Sequence, residues 1–207
     1  MSQGRSRLRN CWPLVCLVAA ATSLAAQEEL GINFDRSAPI SLDAASSEFD
    51  RRNDRLSFTD LTIRQGAMGI SADQAIATGL DFDDSVWMFT GNVVIQSANT
   101  RAWSDAAQVR FLNHRLQSAR LTGQPAKFEQ EREGQEQLTE GRARIMEYDL
   151  ETNLIRMTDD AWVSDGANEV SGPRIAYDLT REFIIADGDE QGQVRMKIQP
   201  SVDQDGS

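Results

Sequence analysis

The stretch VWMFTGNVVI, residues 86–95, shows the pattern on which the rest of the chain is built. Apolar residues alternate on both sides of a Thr-Gly-Asn centre, and a period of two is typical of half-buried strands. Gly91 and Asn92 tolerate positive φ, so the centre predicts a bend or bulge. We interpret the stretch as two short strands joined at that centre.

The same arrangement recurs in LSFTDLTI, residues 56–63, and in IRMTDDAWV, residues 155–163. Each copy has apolar residues at i and i+2, a threonine pivot (Thr59, Thr90 or Thr158), one or two Asp, Gly or Asn residues, and more alternating apolar residues. No window shows a sustained 3.6-residue apolar stripe. The repeated strand unit therefore predicts an all-β chain, as a sandwich, a jelly roll or a solenoid.

The first 25 residues are expected to be a signal peptide rather than part of the fold. Three arginines precede an apolar run at residues 11–26, and Ser23-Leu24-Ala25 offers a small-x-small cleavage site. An uncleaved anchor helix is the alternative, but the run is short for a membrane span and contains Pro13. We predict export and a mature chain that begins at Ala26 or Gln27.

The expected domain organisation follows from composition. Residues 26–38 are polar and read as a flexible mature N-terminus, residues 39–198 as one β-domain, and residues 199–207 as a disordered polar tail. Both cysteines, Cys11 and Cys16, lie in the leader, so a mature chain has no thiol chemistry.

The mature chain is strongly acidic. Without the three arginines of the leader it has 18 Lys and Arg against 32 Asp and Glu, a net charge of −14. Nucleic-acid binding depends on basic contacts with phosphates, so this composition argues against nucleic acid as a partner, and none is predicted. It also argues against electrostatic docking on an anionic membrane.

No catalytic residue, cofactor or metal site is predicted. His114 is the only histidine and lies in an Asn-His-Arg turn, with no candidate nucleophile beside it. The acidic clusters at residues 81–84 and 187–190 lack the ligand spacing of a calcium loop. A secreted hydrolase stays open as a hypothesis, although the missing motifs make it less favoured than a binding or structural protein.

The alternating strands predict one set of inward apolar residues. They are Ile40, Leu42, Phe58, Ile63, Phe89, Ile95, Phe128, Tyr148, Met157 and Val163. An ordinary closed β-core and a lipid-binding interior both explain such a set, and the pattern alone favours the closed core because every β-domain has one.

Several blocks resemble one family. GQPAKFEQ at residues 123–130 is similar to the G-K-P-A-x-F hairpin of the OstA-like family of periplasmic lipopolysaccharide transport proteins. PISL at residues 39–42, FTGNVVI at residues 89–95, and EGRARIMEY at residues 140–148 running into SGPRIAY at residues 171–177 agree in the same order. The resemblance covers residues 39–198.

This resemblance implies a fold and a function. The fold is an open, V-shaped antiparallel β-jelly roll whose apolar groove holds the acyl chains of lipid A. Such proteins stack head to tail between an inner-membrane-anchored partner and an outer-membrane partner with related β-folds. By position, Ile40 and Leu42 match residues that contact the lipid and the upstream partner, and Phe128 and Leu150 match interior and end residues of the groove.

With Leu150 added to the inward set, eleven residues form the expected lipid-binding site. The sequence also departs from the family pattern. It has an apparent extra unit between residues 79 and 121, which suggests a longer groove; Asp159 and Asp160 stand where Gly-Asn is expected, so that bend is expected to differ; and Pro173 lies near the last strands. A ligand-free structural domain of the cell envelope and the inner-membrane-anchored partner itself are the alternative functions.

Overall fold

The computed structural model describes residues 38–78, 84–113, 115–131, 137–181, 183–190 and 192–199. The predictions for the leader, for the N-terminus of the mature chain up to residue 37, for His114 and for the tail from residue 200 lie outside these ranges.

The described chain consists of β-strands joined by turns. In the long strands, period-two alternation places buried apolar residues on one face and more exposed residues on the other. The strands are β1 Ser41–Asp43, β2 Ser46–Asp50, β3 Arg55–Gln65, β4 Met68–Thr78, β5 Asp84–Gln96, β6 Thr100–Leu112, β7 Arg115–Gln130, β8 Thr139–Asp149, β9 Leu154–Ser164, β10 Asn168–Asp178, β11 Phe183–Asp187 and β12 Arg195–Ile198.

All twelve strands belong to one antiparallel sheet, and neighbours in the sheet from β3 to β10 follow sequence order. β1 and β2 both pair with β3, and β11 and β12 both pair with β10. Among the described strands the two ends of the sheet do not pair with each other, so the sheet stays open. The predicted all-β, open antiparallel fold is confirmed.

A line of irregularities crosses the sheet at the centre of every long strand. The pairing register shifts between Ser71 and Gln74, between Thr90 and Val93, and at matching places in the ladders as far as β10. Positive φ angles lie on this line at Asp60, Gly91, Asn92, Asp159 and Asp160. Extra residues inserted in neighbouring strands at one level bend the whole sheet along that level.

The sequence interpretation of residues 86–95 as two short strands was wrong in one respect. The predicted bulge is present, but β5 runs through it as a single strand, and β3 and β9 do the same. The block at residues 123–130, which the resemblance implies to be a hairpin, likewise lies inside the single strand β7. The hydrogen-bonded ladder resumes beyond each bulge, because the pairing register of the neighbouring strands shifts at the same place.

The expectation that Asp159 and Asp160 change the local bend was also wrong. Both residues adopt the left-handed conformation that Gly91 and Asn92 adopt in β5, with φ angles of 63° and 56°. Aspartate tolerates this region better than most residues. Pro173 lies at the register shift between Gly172 and Arg174, where its missing N–H removes no ladder bond. Residues 84–121 supply β5, β6 and the start of β7; their status as an extra unit stays a prediction.

The bend line divides the sheet into two halves of ten strands each. The Phe89 half has the order β2, β3 to β10, β11, and the Val93 half has the order β1, β3 to β10, β12. β1 and β2 are thus the two parts of one interrupted edge strand, as are β11 and β12. The buried apolar residues of both halves form one cluster, which places the core between them.

The tight turns explain part of the acidic composition. Asp50, Asp149, Asp165 and Asp178 each end a strand, or follow one, and accept backbone N–H groups two and three residues further on. The Asn53 side-chain amide and the Arg52 N–H hold the pKa of Asp50 below its usual value. Asp50 therefore stabilises the fold at pH values above the pKa of an aspartate in the unfolded chain. This stabilisation is lost as pH falls through the lower pKa of Asp50 in the folded chain.

Candidate functional site

The interior face consists of rows of side chains that run across the sheet from one edge to the other. Directly paired residues in an antiparallel sheet point to the same face, so each row follows from the pairing register. The row through Phe128, in the Val93 half, comprises Leu42, Ile63, Ile70, Ile95, Ala102, Phe128, Gly141, Val163, Val170 and Met196.

The Phe89 half presents two such rows. The row through Phe89 comprises Ser47, Phe58, Ala75, Phe89, Ala107, Leu121, Met146, Met157, Ile175 and Ala186, and the row through Tyr148 comprises Phe49, Leu56, Ala77, Trp87, Val109, Ala119, Tyr148, Ile155, Tyr177 and Ile184.

Nine of the eleven predicted site residues lie in these three rows. Ile40 precedes β1 by one residue and lies two positions before Leu42, and Leu150 follows β8 and packs against the core. The structure therefore brings the predicted residues to one interior. It divides them between the two halves of the sheet. Phe58, Phe89 and Met157 lie in the Phe89 half, and Ile63, Ile95 and Val163 lie in the Val93 half.

The burial of these residues differs between the middle and the ends of the rows. Phe89 is 0% exposed, and Phe128, Met157 and Val163 are also buried. Ile40 and Leu42, at the β1 edge, are 36% and 38% exposed. At the other end of the same row, Met196 is exposed as well. These rows are thus largely apolar, and the Phe128 row is exposed at both of its ends.

Sequence reasoning missed several interior residues of equal depth. Trp87 is 1% exposed and lies between Phe58 and Phe89, with ring centroids 5.8 and 6.1 Å apart. Trp87 lies two residues before Phe89, so the two share one face of the strand. This spacing was visible in the sequence and could have assigned Trp87 to the site. Leu121 and Met146 share the Phe89 row, but only their cross-strand register reveals this.

The ring of Phe128 packs directly over Gly141, which has no side chain to exclude it. A Cβ atom built at Gly141 lies 2.0 Å from Cε1 of Phe128, so the phenyl ring covers the glycine backbone. Phe128 is 3% exposed and holds this position between Ala102 and Gly141. The G-x-x-A-x-F block of the sequence therefore supplies an interior ring whose place depends on a residue in the next strand.

Between the halves lies a cavity of about 70 Å³. Its lining comes from both halves, with Ile70, Ile95 and Phe128 on one side and Leu121 and Tyr148 on the other. Small-molecule sites typically measure about 300–1,000 Å³. The cavity is therefore small for a ligand of that size.

All ionised side chains of the described residues lie outside this interior. The buried polar residues are Ser85, Ser104, Gln130, Thr139 and Ser164, and none of them carries a charge. Within the described ranges, no group of three His, Cys, Asp or Glu residues has the arrangement of a metal site. The described part of the chain has no helix with the length and hydropathy needed to cross a membrane. Such an interior suits an uncharged apolar ligand or an ordinary core.

Comparisons with known proteins agree with this geometry. Residues 75–183 match the family model described as LptA/(LptD N-terminal domain) LPS transport protein. The chain is 24% identical over 131 residues to the lipopolysaccharide export system protein LptH of Pseudomonas aeruginosa, which covers 63% of this chain and 74% of that protein. It is 24% identical over 125 residues to the lipopolysaccharide export system protein LptA of Haemophilus influenzae, covering 59% and 72%.

A solved structure has the same fold. The crystal structure of LptH, described as the LptA homologous periplasmic component of the lipopolysaccharide transport device of Pseudomonas aeruginosa, aligns with a TM-score of 0.54 at 20% identity. The alignment covers 81% of this chain and 100% of that one.

Proposed function

The chain belongs to the LptA/(LptD N-terminal domain) family of LPS transport proteins, and from this membership we propose that it carries lipopolysaccharide (LPS) from the inner to the outer membrane. It does so as a binding protein, with the acyl chains of lipid A against its interior face. The observation that supports this proposal is the set of apolar rows that cross all ten strands of each half and stay uncovered at both edges.

The energetics favour acyl chains as the ligand. Each CH₂ group that leaves water contributes about 0.8 kcal/mol, and the interior rows offer no charge that must be desolvated. The 70 Å³ cavity is too small for such chains. We therefore infer that the halves separate about the bend line when lipid enters, because among the described strands no pairing joins the edges across the opening.

We also propose that copies stack head to tail. β1 and β2 run antiparallel to β3, β11 and β12 run antiparallel to β10, and strands alternate in direction between β3 and β10. Each half has ten strand positions, and neighbouring strands run in opposite directions. The first and the last strand of a half are therefore antiparallel to each other. A second copy translated along the sheet then adds its β1 antiparallel to β12, and strand addition satisfies the free N–H and C=O groups of both edges.

The side chains of the two edges are complementary in this arrangement. Leu42 and Met196 end the same interior row, so stacking in register brings Met196 beside Leu42 of the next copy and Ile198 beside its Ile40. On the outer face the same register brings Arg195 beside Asp43. Apolar residues thus meet inside and opposite charges outside. The related β-folds of the inner- and outer-membrane partners are proposed to use the β1 and β12 edges respectively.

The proposed location is the periplasm, reached with residues 1–25 as a cleaved leader. N-terminal sequencing of the exported protein is expected to begin at residue 26 or 27. Recovery of an intact leader from the membrane fraction would instead favour the inner-membrane-anchored partner.

Ile40 provides a direct test of lipid binding. Ile40→Glu is expected to weaken LPS binding about tenfold or more, since a charge at the end of the trough must be desolvated against acyl chains. The fold is expected to persist because Ile40 is 36% exposed. Equilibrium LPS binding and thermal melts measure the two effects.

The matched control is Ile185→Glu, which makes the same exchange at a similarly exposed position on the outer face of β11. It is expected to leave LPS binding unchanged. Unfolding of the Ile40 variant, or equal effects of both variants on binding, would favour the ligand-free structural domain.

A further inference from the structure

The two rims of the interior differ in polarity. On the Phe89 half the rim is apolar and includes Leu116 and Leu179, whereas on the Val93 half Ser97, Thr100 and Gln130 occupy the corresponding outer level beside Met68. All six residues line the same cavity, so the polar and the apolar rim face each other across its opening. We call Ser97, Thr100 and Gln130 the polar lip.

The polar lip contains two buried atoms without hydrogen-bond partners among the described residues. Gln130 is 7% exposed and its Oε1 accepts no hydrogen bond, and the buried Oγ of Ser97 also has none. A buried polar atom without a partner destabilises a fold, so native structures hold few of them, and each calls for an explanation. Both residues line the cavity, and a ligand that enters as the halves separate can supply the missing partner.

A second, polar pocket adjoins the apolar cavity at this lip. Its volume is about 260 Å³, and Ser97 and Thr100 line both spaces. Arg101, Glu129 and Glu131 contribute the charged groups of the polar pocket. Arg101 and Glu129 pair with each other on the outer face, so the polar lip lies between the apolar interior and a charged surface, an arrangement that matches the two parts of an amphiphile.

We propose that the polar lip binds the junction between acyl chain and sugar in the lipid, through the hydroxyl and amide groups that lie there. This inference rests on the proposed function and assigns one end of its binding site. Gln130 Oε1 is an acceptor and requires a donor such as a hydroxyl or an amide N–H. Among the described residues of the polar pocket, two carboxylates against one guanidinium give a net negative charge, which disfavours a phosphate group.

Gln130→Leu tests the assignment. It removes the unpaired acceptor and keeps an apolar side chain, so stability is expected to stay equal or to rise. Affinity for purified lipid A is expected to fall about three- to tenfold, as for the loss of one hydrogen bond. Affinity for myristate, which lacks a donor at its carboxylate, is expected to stay unchanged. Competition titrations and thermal melts measure these quantities.

Ser97→Ala and Ser85→Ala form a matched pair. Both remove a buried hydroxyl without a partner among the described residues, but Ser85 lies in the Phe89 half and does not line either pocket. Only Ser97→Ala is expected to weaken lipid A binding. Monophosphoryl lipid A is expected to show the same losses as the diphosphoryl form, because the lip contacts no phosphate.

Each outcome separates the inference from the proposed function. Wild-type binding of lipid A that persists undiminished in Gln130→Leu and Ser97→Ala would overturn the inference and leave the function standing. Losses confined to the diphosphoryl form would assign the pocket to phosphate and overturn the donor assignment. A wild-type protein that binds neither lipid A nor myristate would contradict the proposed function itself.

Discussion

Leu42→Glu is expected to weaken head-to-tail association about a hundredfold or more. In the stacked arrangement Leu42 lies beside Met196 of the neighbouring copy at the end of the Phe128 row, so the variant buries an unpaired carboxylate in the contact. Leaving a buried charge without its partner costs about 3–5 kcal/mol, and each 1.4 kcal/mol is about a tenfold change in affinity. Leu42 is 38% exposed in the single chain, so the fold tolerates the charge.

Sedimentation velocity over a range of concentrations measures this effect. The wild type is expected to form open chains, because a contact between two different surfaces does not close. The Leu42 variant is expected to stay monomeric, and the double variant Leu42→Glu with Met196→Lys is expected to recover part of the association. Met88→Glu is the control, since Met88 is 52% exposed on the outer face of β5, away from both edges. A wild type that is monomeric at every concentration would contradict stacking.

Gly141→Ala is expected to lower the free energy of unfolding by about 2 kcal/mol, through overpacking of the interior. The added methyl group meets the Phe128 ring at 2.0 Å, and the ring is enclosed, so the ring and its neighbours must shift. For a domain of this size the melting temperature is expected to fall by about 4–8 °C. LPS affinity is expected to fall as well, because the displaced ring enters the cavity.

Gly172→Ala supplies the matched control. It lies in β10, has no positive φ, and its added Cβ meets its nearest neighbour at 3.5 Å, an ordinary contact. Its melting temperature is expected to stay close to that of the wild type. Equal melting temperatures for the two variants would show that Phe128 does not occupy the position described.

The fold and the inward face were predictable from local pattern. Period-two alternation reports directly which side chains share a face, so Phe58, Phe89, Phe128 and Val163 could be assigned to one interior. The threonine pivot that recurs in three stretches also located the bend, since Thr59, Thr90 and Thr158 lie in one cross-strand row of the sheet. The comparisons confirm the resemblance to the lipopolysaccharide transport family.

The remaining features depend on contacts between distant residues. A strand continues through its bulge because the neighbouring strands have bulges at the same level. No single stretch of the sequence reveals this match. The division of each edge into two short strands follows from the pairing of β1 and β2 with different parts of β3. The closeness of Phe128 to Gly141, and of Gln130 to the cavity, likewise follows from register. Lipid contact by the eleven site residues stays a proposal.

Photo-crosslinking from position 128 tests the central claim most directly. Benzoylphenylalanine in place of Phe128 points into the interior, and the same residue in place of Trp103 points outward from the adjacent strand, where Trp103 pairs with Lys127. After illumination with bound LPS, position 128 is expected to crosslink to the lipid and position 103 is not. Crosslinking from position 103 alone, or from neither position in a folded protein that retains LPS, would contradict an interior site.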